Sequence, residues 1–173
     1  TLFPLHDALL GTPNITRSFF GRINYSYLDR YLLTATFRTD GSSKFAQNNR
    51  WGYFPAAAFA WRIIDEPFMQ SAKSWLDYLK LRFSYGTSGS DNISSQLWEE
   101  TWTSNTIIWN NESLTTYAPA GMLANPDLKW ETTISRNFGL DFGFLNNRLS
   151  GSLDFYWNTT KDLLIYVPID AST

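Results

Sequence analysis

Between residues 19 and 62 the chain alternates apolar and polar side chains almost one by one, and this period of two constrains everything else. In a first segment Phe19, Ile23, Tyr25 and Tyr27 take one face, and Phe20, Arg22, Asn24 and Ser26 the other. After a short Leu28-Asp29-Arg30 turn, Tyr31, Leu33, Ala35 and Phe37 oppose Leu32, Thr34, Thr36 and Arg38. A third segment sets Tyr53, Ala57, Phe59 and Trp61 against Phe54, Ala58 and Arg62. Successive side chains on a strand point to opposite faces, so each segment has one greasy face and one wet face. This pattern over about 9–11 residues is that of a strand crossing a bilayer in a closed barrel.

Composition agrees. Aromatic residues make up 17% of the chain and charged residues only 17%, against a usual quarter, yet mean hydropathy stays negative at -0.28. One-by-one interleaving of greasy and polar residues produces that combination. No run of about 18 apolar residues occurs, which excludes a transmembrane helix. A net charge of -2 and a single histidine argue neither for nucleic acid nor for a polybasic membrane patch. The absence of cysteine removes disulfides, thiol catalysis and cysteine metal sites. No signal peptide opens the sequence and no terminal aromatic closes it, so we read it as an internal piece of a longer protein.

Taken in order, residues 1–17 read as irregular loop, and residues 40–50 as a long polar connection in contrast to the short 28–30 turn. Short turns on one side and long loops on the other are the asymmetry of an outer-membrane barrel, periplasmic and extracellular respectively. The third strand then descends through residues 51–63 to a periplasmic connection at 64–77, where Asp65-Glu66-Pro67-Phe68-Met69 reads as a capped helical turn. A fourth strand ascends through 78–86, with Leu79, Leu81, Phe83 and Tyr85 opposite Lys80, Arg82 and Ser84. Residues 87–129 supply an extracellular excursion. A fifth strand descends through 130–144, with Ile134, Phe138, Leu140 and Phe142 opposite Ser135, Asn137, Gly139 and Asp141. Residues 145–148 form a tight turn, and a sixth strand ascends through 149–157. Aromatic girdles are expected at Tyr27, Tyr31, Trp61 and Phe144 below, and at Phe19, Phe37, Tyr53, Tyr85 and Trp157 above. Two residues resist the pattern. Arg136 takes the lipid-facing parity and must snorkel or be reset by a bulge, and Pro55 suggests a bulge in the third strand.

Several blocks resemble the barrel of SusC/RagA-type TonB-dependent transporters. They are Gly21-Arg22-Ile23-Asn24-Tyr25-Ser26-Tyr27 with Asp29-Arg30-Tyr31-Leu32-Leu33-Thr34-Ala35-Thr36, then Arg38-Thr39-Asp40-Gly41-Ser42-Ser43-Lys44-Phe45 and Asn49-Arg50-Trp51-Gly52-Tyr53-Phe54-Pro55. Trp61-Arg62-Ile63, Trp75-Leu76-Asp77 and Leu79-Lys80-Leu81-Arg82 follow, and then Asn125-Pro126-Asp127-Leu128-Lys129-Trp130-Glu131 and Asn147-Arg148-Leu149-Ser150-Gly151. The resemblance implies an all-β chain, a partial antiparallel transmembrane β-barrel giving about six strands of a barrel of about 22. It also implies a Bacteroidetes-type cell outer membrane and a SusD-like surface lipoprotein partner. Energisation would come from TonB–ExbB–ExbD through a plug that has no counterpart in residues 1–173. The cargo would be an oligosaccharide or peptide; lipid or lipopolysaccharide would surround the barrel, and no cofactor is implied.

Candidate sites follow from side-chain chemistry. Trp98, Trp102, Trp109 and Tyr117, among Asn105, Asn110 and Asn111, could stack on sugar rings or peptide side chains while amides hydrogen-bond. Equally, these rings could pack the loop onto itself or onto the lid. Arg22, Arg38, Arg62, Lys80, Arg82, Asp141 and Asp154 share the lumen parity, either tuning the path or forming cross-strand ion pairs on a wet wall. Adjacent Glu99 and Glu100 lack the flanking geometry of a glycosidase pair, so no catalytic residue is assigned and the chain is read as no enzyme. His6 stands alone, and Asp40-Gly41-Ser42-Ser43 lacks the closing glutamate of a calcium loop, so no metal site is assigned. Sequons at Asn14, Asn24, Asn92, Asn111 and Asn158 read as chance. A passive porin or structural barrel and a soluble all-β carbohydrate-binding module are the competing readings. The module requires Phe59, Leu81 and Phe155 to meet in a sandwich core.

Overall fold

The computed structural model describes residues 14–95, 97–110, 112–119 and 123–167; His6 and Asn111 lie outside them. The strands are β1 (Thr16–Tyr27), β2 (Tyr31–Ser42), β3 (Trp51–Arg62), β4 (Leu76–Ser90), β5 (Trp102–Trp109), β6 (Glu112–Pro119), β7 (Glu131–Phe144) and β8 (Leu149–Lys161). Six of them form one antiparallel sheet in the order β1-β2-β3-β4-β7-β8, and β5 and β6 form a separate hairpin between β4 and β7. Each strand of the six pairs with the next one along the chain, apart from that excursion.

Register tests the face assignment more severely than strand boundaries do, because a slip of one residue would turn a strand inside out. Tyr25 lies opposite Leu33, Leu33 opposite Phe59, Phe59 opposite Phe83, Phe83 opposite Phe138 and Phe138 opposite Phe155. One apolar row therefore crosses all six strands. The neighbouring row on the other face reads Asn24, Thr34, Ala58, Ser84, Asn137 and Tyr156. Phe59 and Phe155 remain 38% and 62% exposed, and among the described residues no second sheet packs over them. That overturns the sandwich reading: most of the apolar face is open, with Leu76 and Ile134 buried near its ends.

The two short turns work through left-handed backbone. Leu28 and Asp29 have φ of 50° and 51°, and the Arg30 amide donates to the Tyr27 carbonyl at 3.1 Å. Two consecutive left-handed residues match the twist of the flanking strands. Leu145, Asn146 and Asn147 turn the β7–β8 hairpin in the same region, at φ of 54–56°, where asparagine is tolerated better than most residues.

Both girdles form. Below, Tyr27 and Tyr31 have ring centroids 6.3 Å apart, Trp61 stacks on Tyr31 at 6.2 Å, and Phe144 stacks on Trp75 at 5.8 Å. Above, Phe37 stacks on Tyr53 at 6.2 Å, and Phe19 stacks on Trp51 at 6.1 Å.

Several expectations need correction. Residues 16 and 17 are strand and not loop, since β1 pairs from Thr16 against Ser42, and residues 1–13 of the expected loop lie outside the described residues. The 40–50 connection begins only after Ser42 and contains a 3-10 turn at Gln47–Asn49. Strand four runs on to Ser90 and strand six to Lys161, and the 87–129 excursion carries the β5–β6 hairpin that periodicity did not reveal. Pro55 causes no bulge: it pairs in register with Phe37, and the β3–β4 ladder ends one residue away at Ala56. Its carbonyl accepts from the Thr87 hydroxyl at 2.9 Å. Proline's missing donor thus falls where the strand has no partner to bond. The register shift lies instead between Leu76 and Tyr78.

The periplasmic connection consists of two 3-10 helices, Ile63–Asp65 and Pro67–Ser74. Glu66 precedes the second, but its side chain makes no cap bond. The carboxylate instead accepts from the Tyr31 hydroxyl at 2.6 Å, the Trp61 indole at 3.0 Å and Arg30 at 3.3 Å. These bonds hold the buried Glu66 carboxyl below the usual glutamate range, the tyrosine hydrogen bond contributing most, then the indole.

Candidate functional site

The polar face of the sheet collects the charged residues. Arg22, Arg38, Arg62, Lys80, Arg82, Asp141 and Asp154 all take the parity opposite the apolar row. Arg82 on β4 forks onto Asp141 on β7, Nε to Oδ2 at 2.9 Å and Nη2 to Oδ1 at 2.8 Å, and also reaches Asp154 on β8 at 3.1 Å. Gly139 makes room for this: a Cβ there would meet the Arg82 guanidinium at 2.8 Å. One cation thereby bridges three strands in the bidentate geometry that arginine favours. Arg38 pairs with Asp40 at 2.7 Å, and Arg62 with Asp65 at 2.9 Å. Arg22 donates to the Thr36 hydroxyl at 3.2 Å, and Lys80 stands in register between Arg62 and Asp141.

The resulting wall is rich in hydrogen-bonding groups whose charges are mostly neutralised within the chain. Between its charged groups the small side chains of Ala58 and Ala60, flanked by Thr34, Ser84 and Asn137, leave a depression of about 280 Å³. The Asn137 Oδ1 atom is buried there without a hydrogen-bond partner. Small, uncharged positions beside paired ions give a surface on which a polar solute meets amides and hydroxyls before it meets a net charge.

Above the sheet, the loops are tied to one another. Phe45, Phe54 and Trp130 form a buried cluster, with Trp130 5.3 Å from Phe45 and edge-on to Phe54 at 5.6 Å, and Ile93, Leu128 and Leu164 packing around it. The Trp130 indole donates to the Arg50 carbonyl at 3.0 Å. Ser42 donates to Asp91 at 2.8 Å, and Lys44 donates to the Asp91 carbonyl at 2.9 Å. The Asn125 amide donates to the Leu97 carbonyl at 2.9 Å, closing the two stems of the excursion on each other. Sequence reasoning missed this clasp. Phe45, Phe54 and Trp130 lay inside the Arg38–Phe45, Asn49–Pro55 and Asn125–Glu131 motif blocks, but nothing in those blocks joins one to another.

The hairpin above the clasp divides the proposed aromatic set. Ser104 lies opposite Tyr117 and Trp102 opposite Pro119, so Trp102 and Tyr117 share one face. Trp109, opposite Glu112, takes the other face, with Ile107 and Leu114. Asn110 turns the hairpin at φ 51°, and Trp98 is half-buried in the stem before it. Trp102, Trp109 and Tyr117 are exposed. The rings are therefore not one stacking platform: two stand together and two stand apart. Glu99 and Glu100 are exposed at the stem. Among the described residues no group of three or more acidic or histidine side chains could hold a metal ion.

Residues 9–173 match the family model described as TonB dependent receptor-like, beta-barrel. TonB-dependent receptor SusC of Bacteroides thetaiotaomicron is 42% identical over 181 residues, taking in 97% of this chain and 18% of that protein. TonB-dependent receptor P26 of Formosa agariphila is 40% identical over 90% of this chain and 16% of its own length. Of solved structures, the RagAB peptide transporter superposes with a TM-score of 0.79 at 36% identity, covering 91% of this chain and 17% of that one. The chain thus spans less than a fifth of the length of these relatives.

Proposed function

Because this chain belongs to the TonB dependent receptor-like β-barrel family, we propose that it is part of the wall of an active outer-membrane importer for oligosaccharides or peptides. One observation carries the reading: a continuous apolar row crosses six paired strands and faces away from a polar, ion-paired wall. In a closed barrel the rings would lie against acyl chains, and Arg82, Asp141 and Asp154 would face a water-filled lumen. Function is transport and not bond chemistry. The long loops and a SusD-like lipoprotein would capture cargo, and TonB acting on a plug would release it inward. The RagAB structure is that of a peptide transporter, but at 36% identity over 17% of its length it does not fix the cargo here, so the class stays at oligosaccharide or peptide. The exposed Trp102 and Tyr117 on one hairpin face are the candidates for contact with cargo or lid.

The deciding experiment is uptake by cells producing the full-length protein, with labelled oligosaccharides and peptides as probes. Uptake should depend on this protein and disappear when TonB is deleted. Uptake that persists without TonB would establish a passive pore in its place.

A further inference from the structure

Charge is distributed unequally between the two faces of the six-stranded sheet, and in one direction only. Every acidic residue paired on the six strands, namely Asp40, Glu131, Asp141 and Asp154, takes the polar parity. The charged residues paired at apolar parity are Arg17, Arg136 and Lys161, all cations; Asp77 falls at the β4 register shift and pairs in neither row. All three stand near or above the upper edge of the apolar face. Arg136 stands eight residues above Phe144 on β7, and Arg17 ten residues above Tyr27 on β1. At about 3.4 Å per residue and a tilt of about 40°, these offsets correspond to roughly 21 Å and 26 Å above the lower girdle. An apolar band about 25 Å tall ends at that level. Lys161, opposite Thr132, lies four residues higher than Arg136.

Arg136 is held in place there. It sits in register between Tyr85 and Trp157, with no bulge to turn it inward. Its guanidinium carbon lies 5.9 Å from the centre of the Tyr85 ring, and Nη1 donates to the Thr159 hydroxyl at 3.4 Å, toward Lys161. No carboxylate pairs with it among the described residues. A guanidinium on an aromatic face keeps most of its donors free, and planar donors suit a phosphate. We propose that Arg136, Thr159 and Lys161, on the outer face above Tyr85 and Trp157, form a site for the phosphate of an anionic lipid in the outer leaflet, with Arg17 repeating the interaction on β1. The site rests on the barrel reading given above, because the apolar face meets lipid only in a barrel.

The test uses the full-length protein in phosphatidylcholine nanodiscs doped with lipid A or with its dephosphorylated form, with lipid retention read by native mass spectrometry. Lipid A should be retained at least several-fold more than the dephosphorylated form. The double variant R136Q/K161Q should lose that preference, whereas K80Q on the polar face should keep it. Lys161 is exposed at a strand end, so K161Q alone provides a mild variant should the double variant assemble poorly, and it should show a partial loss. Equal retention of both lipids by the wild type, or equal loss in K80Q, overturns the proposal while leaving the barrel intact. Displacement of lipid A by millimolar inorganic phosphate also overturns it, in favour of a free-anion site. Failure of the wild type to insert into nanodiscs would instead sink the barrel reading, and this site with it.

Discussion

The six-stranded sheet and the loops above it are ordered by different physics. In the sheet, register does the work: backbone ladders run from Tyr25 to Phe155 through neighbours in sequence, and most side chains stay exposed or half-buried, with Phe54, Leu76 and Ile134 the buried apolar exceptions. Above it, side chains do the work, since Phe45 and Trp130 from the loops bury one another and Phe54 at the upper end of β3. The sheet can leave its rings uncovered because lipid is to cover them. The loops face water and need a dry cluster of their own. Environment, more than propensity, therefore decides where this chain needs a core.

Phe45→Ala gives the largest expected effect and the sharpest way to break that contrast. The side chain is fully buried, so truncation should cost about 3–5 kcal/mol of local stability. The loss should stay in the loops. Limited proteolysis of the full-length protein should open residues 91–130, while the heat-modified mobility of the barrel stays unchanged. A barrel that unfolds together with the loops would show the two regions to be one cooperative unit.

Next in size is a charge placed on either face of the sheet. Phe59→Arg or Leu81→Arg should cost about 2–4 kcal/mol at mid-bilayer depth and impair assembly into the outer membrane. Thr34→Arg or Ser84→Arg, in the adjoining polar rows, should assemble nearly as the parent does. Equal tolerance at all four positions would undo the face assignment. A smaller effect should follow Arg82→Ala, which leaves Asp141 and Asp154 without their shared cation. Its side chain is 34% exposed, so solvent screening holds the loss to about 1 kcal/mol. Adding Asp141→Asn and Asp154→Asn should recover much of it, as read by the thermal midpoint of the refolded barrel. A loss as large as that of Phe59→Arg would mean that the wall is drier than this structure implies.

The same contrast sets what was legible in the sequence. Alternation exposes which face a residue takes, because one face of each strand must be uniformly apolar. The Tyr25–Phe155 row and both girdles could therefore be read directly. The β5–β6 hairpin could not, since Trp102, Ile108, Ile107 and Trp109 spread apolar side chains over both faces and blur the period. Its one local signal was Asn110, an asparagine in left-handed backbone between β-branched runs. The clasp was invisible for a different reason. Phe45 lies in a polar stretch, and its burial depends on Trp130, which no local pattern connects to it. For the candidate site, parity placed Arg82, Asp141 and Asp154 on one wall, but only coordinates reveal that they share one ion-pair network.

The smallest expected effect concerns the periplasmic connection, where a single acid does what a cluster does above. Hydrogen bonds from Tyr31 and Trp61, with the charge of Arg30, favour the Glu66 carboxylate over its acid form in the folded state. A lowered folded value means that folding releases a proton when the unfolded glutamate carries one. The stabilisation is therefore fully present above the ordinary glutamate value near 4.3, and it is lost as pH falls through the lower folded value. Glu66→Gln should be less stable than the parent near neutrality, and the gap should narrow as the pH drops below about 4. Hydrogen exchange across residues 63–75, measured from pH 6 to pH 3 in both proteins, isolates this group because every other carboxyl titrates alike in the two. A gap that stays constant over that range would mean that Glu66 acts by shape alone, and the periplasmic turn would then be ordered by its ladders, as the sheet is.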